Sequence, residues 1–278
     1  TYIYFFKILI KMNDFLTRSF SGFFYAFLII FSLIISEFFF TTIILIFTLL
    51  ALVEFQRIIK FTNLIPYIFL IIIFIYFLLD NNNYYINTLI LFSTLSINIY
   101  LTYDLLNNKF PKTNKFQKFF LPLLYISGSS YFIILSQRIF PEFLYWITIY
   151  FFSIIWVNNT FAYIIGKNFG KNLLYKNISP KKTWEGFWGG LIFSIIGSVI
   201  YFNIQSNFNI LFFISSAILL SILATIGDLI QSKFKRKANI KDSGSLIPGH
   251  GGFFDRMDSV IYSAPFYYLL LIFFKNVS

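Results

Sequence analysis

Between Gly227 and Asp258 the chain reads GDLIQSKFKRKANIKDSGSLIPGHGGFFDRMD, a polar segment between two apolar runs. It carries four of the eleven carboxylates (Asp228, Asp242, Asp255 and Asp258), six of the 22 Lys and Arg, and the single histidine, His250. Asp228 closes the run LFFISSAILLSILATIGD, which puts a carboxylate at or just inside a membrane face. Ser232 follows four positions later, on the same helical side. Lys233, Lys235, Arg236 and Lys237 come next, then Lys241-Asp242. Pro248-Gly249-His250-Gly251-Gly252 reads as a tight turn whose backbone amides can approach a ligand. Asp255-Arg256-Met257-Asp258 closes the segment, with its two aspartates three apart on one helical face. Carboxylate oxygens suit Mg²⁺, while Lys, Arg and glycine amides suit phosphate. Together they describe a metal-assisted phosphoryl or nucleotidyl site. A merely solvated basic loop needs neither the Gly-His-Gly-Gly turn nor acids against both flanking apolar runs.

The elements that must position this segment are membrane helices. The 278 residues are 58% hydrophobic and 23% aromatic, with 12% charged and a mean hydropathy of +0.75. A soluble domain has about 25% charged residues. Cysteine is absent, which excludes disulfides and thiolate metal sites. The net charge of +11 fits cytoplasmic loops facing anionic lipid and phosphate ligands better than it fits nucleic acid. The chain opens on Thr1 without a cleavable signal pattern, and a truncated start is the expectation. Apolar runs fall at about 22–36, 38–53, 64–79, 85–101, 119–135, 143–165, 187–204, 209–230 and 260–274. Several are shorter than the ~20 residues a spanning helix needs and must extend into their flanks. The first two are separated only by Glu37, which also allows one re-entrant hairpin or one long tilted helix. If all nine span with the N-terminus inside, every Lys and Arg except Arg138 and Lys275 falls on the inner side, as the positive-inside rule expects. The fold class read from this is all-α: a polytopic integral membrane protein of nine transmembrane helices, N-in and C-out, with a polar cytoplasm-facing site between the C-terminal helices.

A second polar segment runs from Asn158-Asn159-Thr160-Phe161-Ala162-Tyr163-Ile164-Ile165-Gly166-Lys167 to Ser179-Pro180-Lys181-Lys182-Thr183-Trp184-Glu185-Gly186. Ser179-Pro180 can set a turn and cap the next helix, with Lys181, Lys182 and Thr183 placed for phosphate at its N-terminus. An N-cap beside a membrane-surface lysine pair explains the same residues. The scattered acids before residue 143 (Asp14, Glu37, Glu54, Asp80, Asp104, Glu142) contrast with the five between Glu185 and Asp258. This divides the chain into a scaffold, 1–142, and a catalytic region, 143–278.

Ser232-x-Phe234-Lys235-Arg236, then Lys241-Asp242-x-Gly244, then Ile247-Pro248-x-His250-Gly251-Gly252-Phe253-x-Asp255-Arg256-Met257-Asp258 resembles the signature of phosphatidate cytidylyltransferases. The Ser179–Gly186 segment resembles the same family's Ser-Pro-x-Lys-Thr-x-x-Gly element, and the motif-bearing resemblance covers about 143–274. It implies the reaction of CTP with phosphatidate to give CDP-diacylglycerol and pyrophosphate. It also implies Mg²⁺ on Asp228 and Asp255, with a second cation nearby as an open alternative. On residues alone, the alternative is that Asp228 pairs with a Lys or Arg at a helix end. Asp258 can join the metal shell or orient Arg256. Lys235, Arg236, Lys241 and Arg256 are read as phosphate-neutralising, and Lys233 and Lys237 as surface charges. His250 is read as a hydrogen-bond donor to phosphate or leaving pyrophosphate. It is not a general base, because a phosphate monoester is already ionised near neutral pH. Ser232, Asp242, Gly251 and Gly252 complete the substrate contacts. One position departs: Asn159 stands where the family's Asp-x-x-Ala-Tyr element has aspartate, supplying an oxygen without its charge.

The implied partners are CTP, phosphatidate and membrane lipids, with a homodimer left open and no nucleic acid. A CTP-dependent enzyme acting on a prenyl alcohol or ether lipid, and a nucleotide-binding relative without turnover, are competing readings. A transporter would carry its ionisable residues mid-span, whereas nearly all the acids here flank spans.

Overall fold

The computed structural model describes residues 20–79, 83–107, 114–205, 209–247 and 251–277. Nine apolar helices run through these residues: α1 (Phe20–Ile35), α2 (Glu37–Ile59), α3 (Ile65–Leu78), α4 (Tyr84–Leu106), α5 (Lys115–Ile139), α6 (Leu144–Phe169), α7 (Trp184–Ile204), α8 (Ile210–Lys237) and α9 (Phe254–Val277). Each coincides with one of the nine apolar runs. Seven are long and apolar enough to cross a membrane, and α1 and α3 are shorter. The 14 residues of α3 rise only about 21 Å against ~30 Å of hydrocarbon. A multi-pass membrane protein with seven helices that meet the length requirement unaided is therefore what the architecture supports.

Between α1 and α2 the chain breaks at Ser36. Its backbone is extended there, and its side chain accepts the Phe39 amide at 3.1 Å as an N-cap. The rings of Tyr25 and Phe47 stack at 5.6 Å on either side of the break. The two runs are thus a folded-back helical pair and not one long helix.

Side-chain contacts fix which helix ends lie together. Glu54, near the end of α2, accepts from the amides that open α9, and Asp104, near the end of α4, pairs with Lys233 near the end of α8. Tyr25 of α1 donates to the carbonyl of Arg256 in the first turn of α9. At the opposite end, Arg138 of α5 pairs with Glu37 at 2.6 Å and donates to the Phe77 carbonyl at 2.9 Å. The chain therefore shuttles between two ends, and α3 runs from the first to the second. Just inside the first end, buried Phe55 meets Tyr125, Phe234 and Phe254 edge-on at 5.9, 5.1 and 5.3 Å. This aromatic layer locks α2, α5, α8 and α9 beneath the polar loops.

Besides an isolated antiparallel bridge between Ile247 and Gly251 and a π-helical stretch in α5 (Leu121–Gly128), the described residues depart from an all-α reading in a short antiparallel hairpin between α6 and α7. It pairs β1 (Leu173–Tyr175) with β2 (Ser179–Thr183), in register Leu173 to Thr183 and Tyr175 to Ser179. The hairpin moves the helix cap. Thr183, not Ser179, caps α7, its hydroxyl accepting the Gly186 amide at 3.2 Å. Ser179 instead opens β2. Glu185 secures the hairpin's base by accepting from the Lys171 amide at 3.0 Å and the Asn172 side-chain amide at 2.8 Å.

Candidate active site

The two polar segments face each other across one cavity of about 710 Å³. Helix α6 contributes Asn158, Asn159 and Tyr163, the hairpin Ser179, Lys181, Lys182 and Thr183, and α8 and α9 Asp228, Asp255, Arg256 and Asp258. Apolar Leu174 and Phe187 complete one wall. A concave space lined by basic, acidic and aromatic groups can accept a polyphosphate together with a more apolar part of a ligand.

Helices α8 and α9 bring Asp228 and Asp258 side by side because their backbones nearly touch at Gly227. A Cβ there would lie 2.9 Å from the Asp258 carbonyl oxygen and 2.8 Å from the Tyr262 Cβ. Asp258 is 7% exposed and within electrostatic range of Asp228. Lys182 reaches from β2 to Asp228 at 2.7 Å, so the pairing of Asp228 with a cation is present. Ser232 donates to Asp228 at 3.3 Å across one helical turn.

Asp255 is held differently. One carboxylate oxygen accepts from Lys235 at 2.7 Å and Gln231 at 2.9 Å, the other from the amides of Ser243 (2.8 Å) and Gly252 (3.0 Å) and the Ser243 hydroxyl (2.9 Å). Five donors fill a carboxylate that offers roughly four lone-pair directions. Lys235 is thereby engaged with Asp255 instead of lining the cavity. Arg236 also points elsewhere, donating to the carbonyls of Ile178 (3.2 Å) and Ile240 (3.1 Å) and so tying the hairpin to the end of α8. Lys241 and Asp242 are exposed and lie outside the cavity lining. Gly251 adopts a φ of +91°, which favours glycine, and its carbonyl accepts from the Ile247 amide at 2.9 Å. Pro248, Gly249 and His250 lie outside the described residues.

The expectation that Lys233 is a surface charge fails. Lys233 is 3% exposed and pairs with Asp104 at 2.8 Å, with Lys237 joining at 3.6 Å. A long cationic side chain at a helix end is drawn inward when a carboxylate from a neighbouring helix waits there.

Glu54 was not among the sequence-derived site residues, yet it sits against the glycine-rich turn. Only 1% exposed, it accepts from the Ser243 hydroxyl at 2.7 Å and from the amides of Phe253 and Phe254 at 3.1 and 3.0 Å. The one signal in the sequence was an acid at the very edge of the 38–53 apolar run, and local spacing does not tie it to a loop 189 residues away.

Among the described residues no group of three acidic or histidine side chains is drawn up as a metal cage. The carboxylates of Asp228 and Asp258 nonetheless face the cavity with oxygen donors, which suit Mg²⁺ with most of its water shell retained. Those two carboxylates would hold the cation, and Asp255 would join by exchanging Lys235 for it.

Fold and site together define a multi-pass helical membrane protein with a cavity lined by both acidic and basic side chains. A family model described as the cytidylyltransferase family matches residues 16–274, and the chain belongs to that family. The match reaches well into the N-terminal region, beyond the motif-bearing half. Relatives that bear the name phosphatidate cytidylyltransferase include three staphylococcal proteins. That of Staphylococcus haemolyticus (strain JCSC1435) is 46% identical over 125 residues, covering 45% of this chain and 48% of its own. That of Staphylococcus aureus (strain COL) is 44% identical over 126 residues, covering 45% and 48%. That of Staphylococcus epidermidis (strain ATCC 12228 / FDA PCI 1200) is 43% identical over 122 residues, covering 44% and 47%. The chain thus spans about half the length of the curated relatives it matches.

Proposed function

We propose that the protein transfers the cytidylyl group of CTP to phosphatidate, giving CDP-diacylglycerol and pyrophosphate. The observation that carries this reading is one cavity faced at once by Ser179, Lys181, Lys182 and Thr183 and by Asp228, Asp255, Arg256 and Asp258. The relatives' names give the substrate pair.

A phosphatidate oxygen attacks the α-phosphorus of CTP in line. A new P–O bond forms as the α–β anhydride bond breaks, and pyrophosphate leaves with the electron pair. No general base is required, since the attacking phosphate monoester is already ionised. Lys182 and Arg256 hold phosphate oxygens, and Lys181 at the hairpin edge adds charge without a fixed partner. Asn159 supplies a neutral oxygen and amide. Asp228 and Asp258 would hold Mg²⁺, which would supply positive charge to screen the phosphates and the leaving pyrophosphate. Catalysis is thus positional and electrostatic. Ser232, one turn from Asp228 on α8, and Lys241, Asp242, Gly251 and Gly252 of the polar segment between α8 and α9 are further contacts for the triphosphate, which leaves Lys235 and Arg236 to hold that segment in place.

The site end of the bundle is proposed to be cytoplasmic. The ends of α2, α4, α6 and α8 and the starts of α7 and α9 gather there, with every Lys and Arg of the described residues except Arg138 and Lys275. With α1 and α3 counted as crossings, this gives nine spans, N-in and C-out. The acyl chains of phosphatidate stay in the bilayer while the headgroup enters the cavity from the inner leaflet.

The test is CTP-dependent formation of CDP-diacylglycerol by purified protein in detergent, with and without Mg²⁺. Asp228→Asn is run alongside. Mg²⁺-dependent turnover lost in Asp228→Asn supports the reading. Binding of CTP without turnover by folded wild type would make the chain a nucleotide-binding relative, and turnover with a prenyl alcohol instead of phosphatidate would replace the acceptor.

A further inference from the structure

Glu54 is the buried acid that the proposed reaction leaves without a task. It belongs to α2 in the N-terminal half, yet every hydrogen bond it accepts comes from the loop and first turn that carry Asp255. One oxygen takes the Phe253 amide, and the other takes the Phe254 amide and the Ser243 hydroxyl. Two of these donors are unpaired amides at the start of α9, where the helix dipole favours an anion. The loop backbone is built around this carboxylate. A Cβ at Gly252 would lie 2.1 Å from Glu54 Oε2 and one at Gly244 would lie 2.6 Å from Oε1, so side chains at either place would evict it.

Ser243 connects this anchor to the site. Its amide and hydroxyl both donate toward Asp255, while the same hydroxyl lies 2.7 Å from Glu54. A hydroxyl has one proton, so the stronger its bond to Glu54, the less it gives Asp255.

We infer that Glu54 is a positioning residue, a buried anchor that holds Ser243 and the Gly252–Phe254 turn and, through Ser243, sets the orientation and donor load of Asp255. It rests on the proposed reaction only for its kinetic arm. Glutamine cannot substitute, because both carboxylate oxygens face donors and one would become an NH₂ opposing an N–H.

The experiment combines hydrogen–deuterium exchange with Mg²⁺ titration on the full chain in detergent, for wild type, Glu54→Gln, Ser243→Ala and the double variant. Glu54→Gln should accelerate exchange at Phe253 and Phe254 and leave α6 and α7 as in wild type. It should also raise by about tenfold the Mg²⁺ needed both to protect residues 251–258 from exchange and to half-saturate turnover, as loss of a supporting contact behind a metal ligand does. The KM for phosphatidate should not move. Ser243→Ala should raise the Mg²⁺ requirement while Phe253 and Phe254 stay protected, and the double variant should be no worse than Glu54→Gln alone. Unchanged exchange and Mg²⁺ dependence in Glu54→Gln would overturn the assignment. So would faster exchange throughout the bundle, which would make Glu54 a general strut. If wild type forms no product, the reaction fails while the local exchange pattern and its Mg²⁺ dependence still decide the role of Glu54.

Discussion

Lys182 on the hairpin and Asp228 on α8 are joined by a 2.7 Å ion pair that bridges the two polar segments across the cavity. Both are partly accessible, with side chains 25% and 35% exposed, so the pair can open without a large desolvation cost. Ligand arrival offers each a better partner: phosphate for the lysine and a divalent cation for the aspartate. Lys182→Met should therefore raise the KM for CTP by about tenfold, the value of one charge-assisted hydrogen bond of about 1.5 kcal/mol. The Mg²⁺ requirement should stay level or fall, because Asp228 loses a competing cation. A raised Mg²⁺ requirement with unchanged KM for CTP would place Lys182 in a purely structural role. Steady-state kinetics at varied CTP and Mg²⁺ separates the two.

Asn159 lies on the cavity wall, its side-chain oxygen accepting from Asn158 at 3.3 Å and its amide donating to Ser259 at 3.5 Å. A carboxylate there keeps the first contact and adds a negative charge to the wall that holds Asp228 and Asp258. Asn159→Asp should lower the Mg²⁺ concentration for half-maximal turnover by several-fold, as an added opposite charge does at a few ångströms. The long Ser259 contact costs little to lose. A flat Mg²⁺ response would show that residue 159 sits outside the cation's reach and that its role is toward the nucleoside or the lipid.

The helices were legible in the sequence because burial in lipid demands unbroken apolar runs, and all nine runs are helical. The site was legible where its residues cluster locally: Asp228, Asp255, Arg256 and Asp258 on one side, Lys181 and Lys182 on the other. What stayed hidden were partners far apart in the chain. Glu54 and Asp104 each looked like an isolated acid in the scaffold half, yet one meets Phe254 and the other Lys233. Nothing in local spacing tells a lysine that will reach a phosphate from one that a distant carboxylate will claim, so Lys233 looked like a surface charge and Lys235 like a phosphate ligand. The cap at Thr183 was missed for a different reason. Ser179-Pro180 has the composition of a helix start, but pairing with Leu173–Tyr175 keeps the chain extended for four more residues.

The Asp104–Lys233 pair provides a test of the bundle independent of chemistry. The Lys233 side chain is 4% exposed and that of Asp104 16%, and Lys233 also donates to the Asp104 backbone carbonyl. Removing the carboxylate takes away the charge that offsets the buried ammonium in the 2.8 Å pair, and Lys237 loses its contact with Asp104 as well. Asp104→Ala should destabilise the protein by about 3 kcal/mol, the lower end for a broken buried pair. In a chain of this size that is a fall of about 10 °C in Tm. Lys237→Ala should cost far less, since its longer 3.6 Å contact leaves the 2.8 Å pair intact. The double variant Asp104→Leu/Lys233→Met should recover most of the loss, because apolar residues of similar volume need no compensating charge. Thermal melts in detergent for the four proteins decide it. A Tm for Asp104→Ala equal to that of wild type would mean that the helix ends are held by packing around Phe55 and Phe234, with the ion pair contributing nothing.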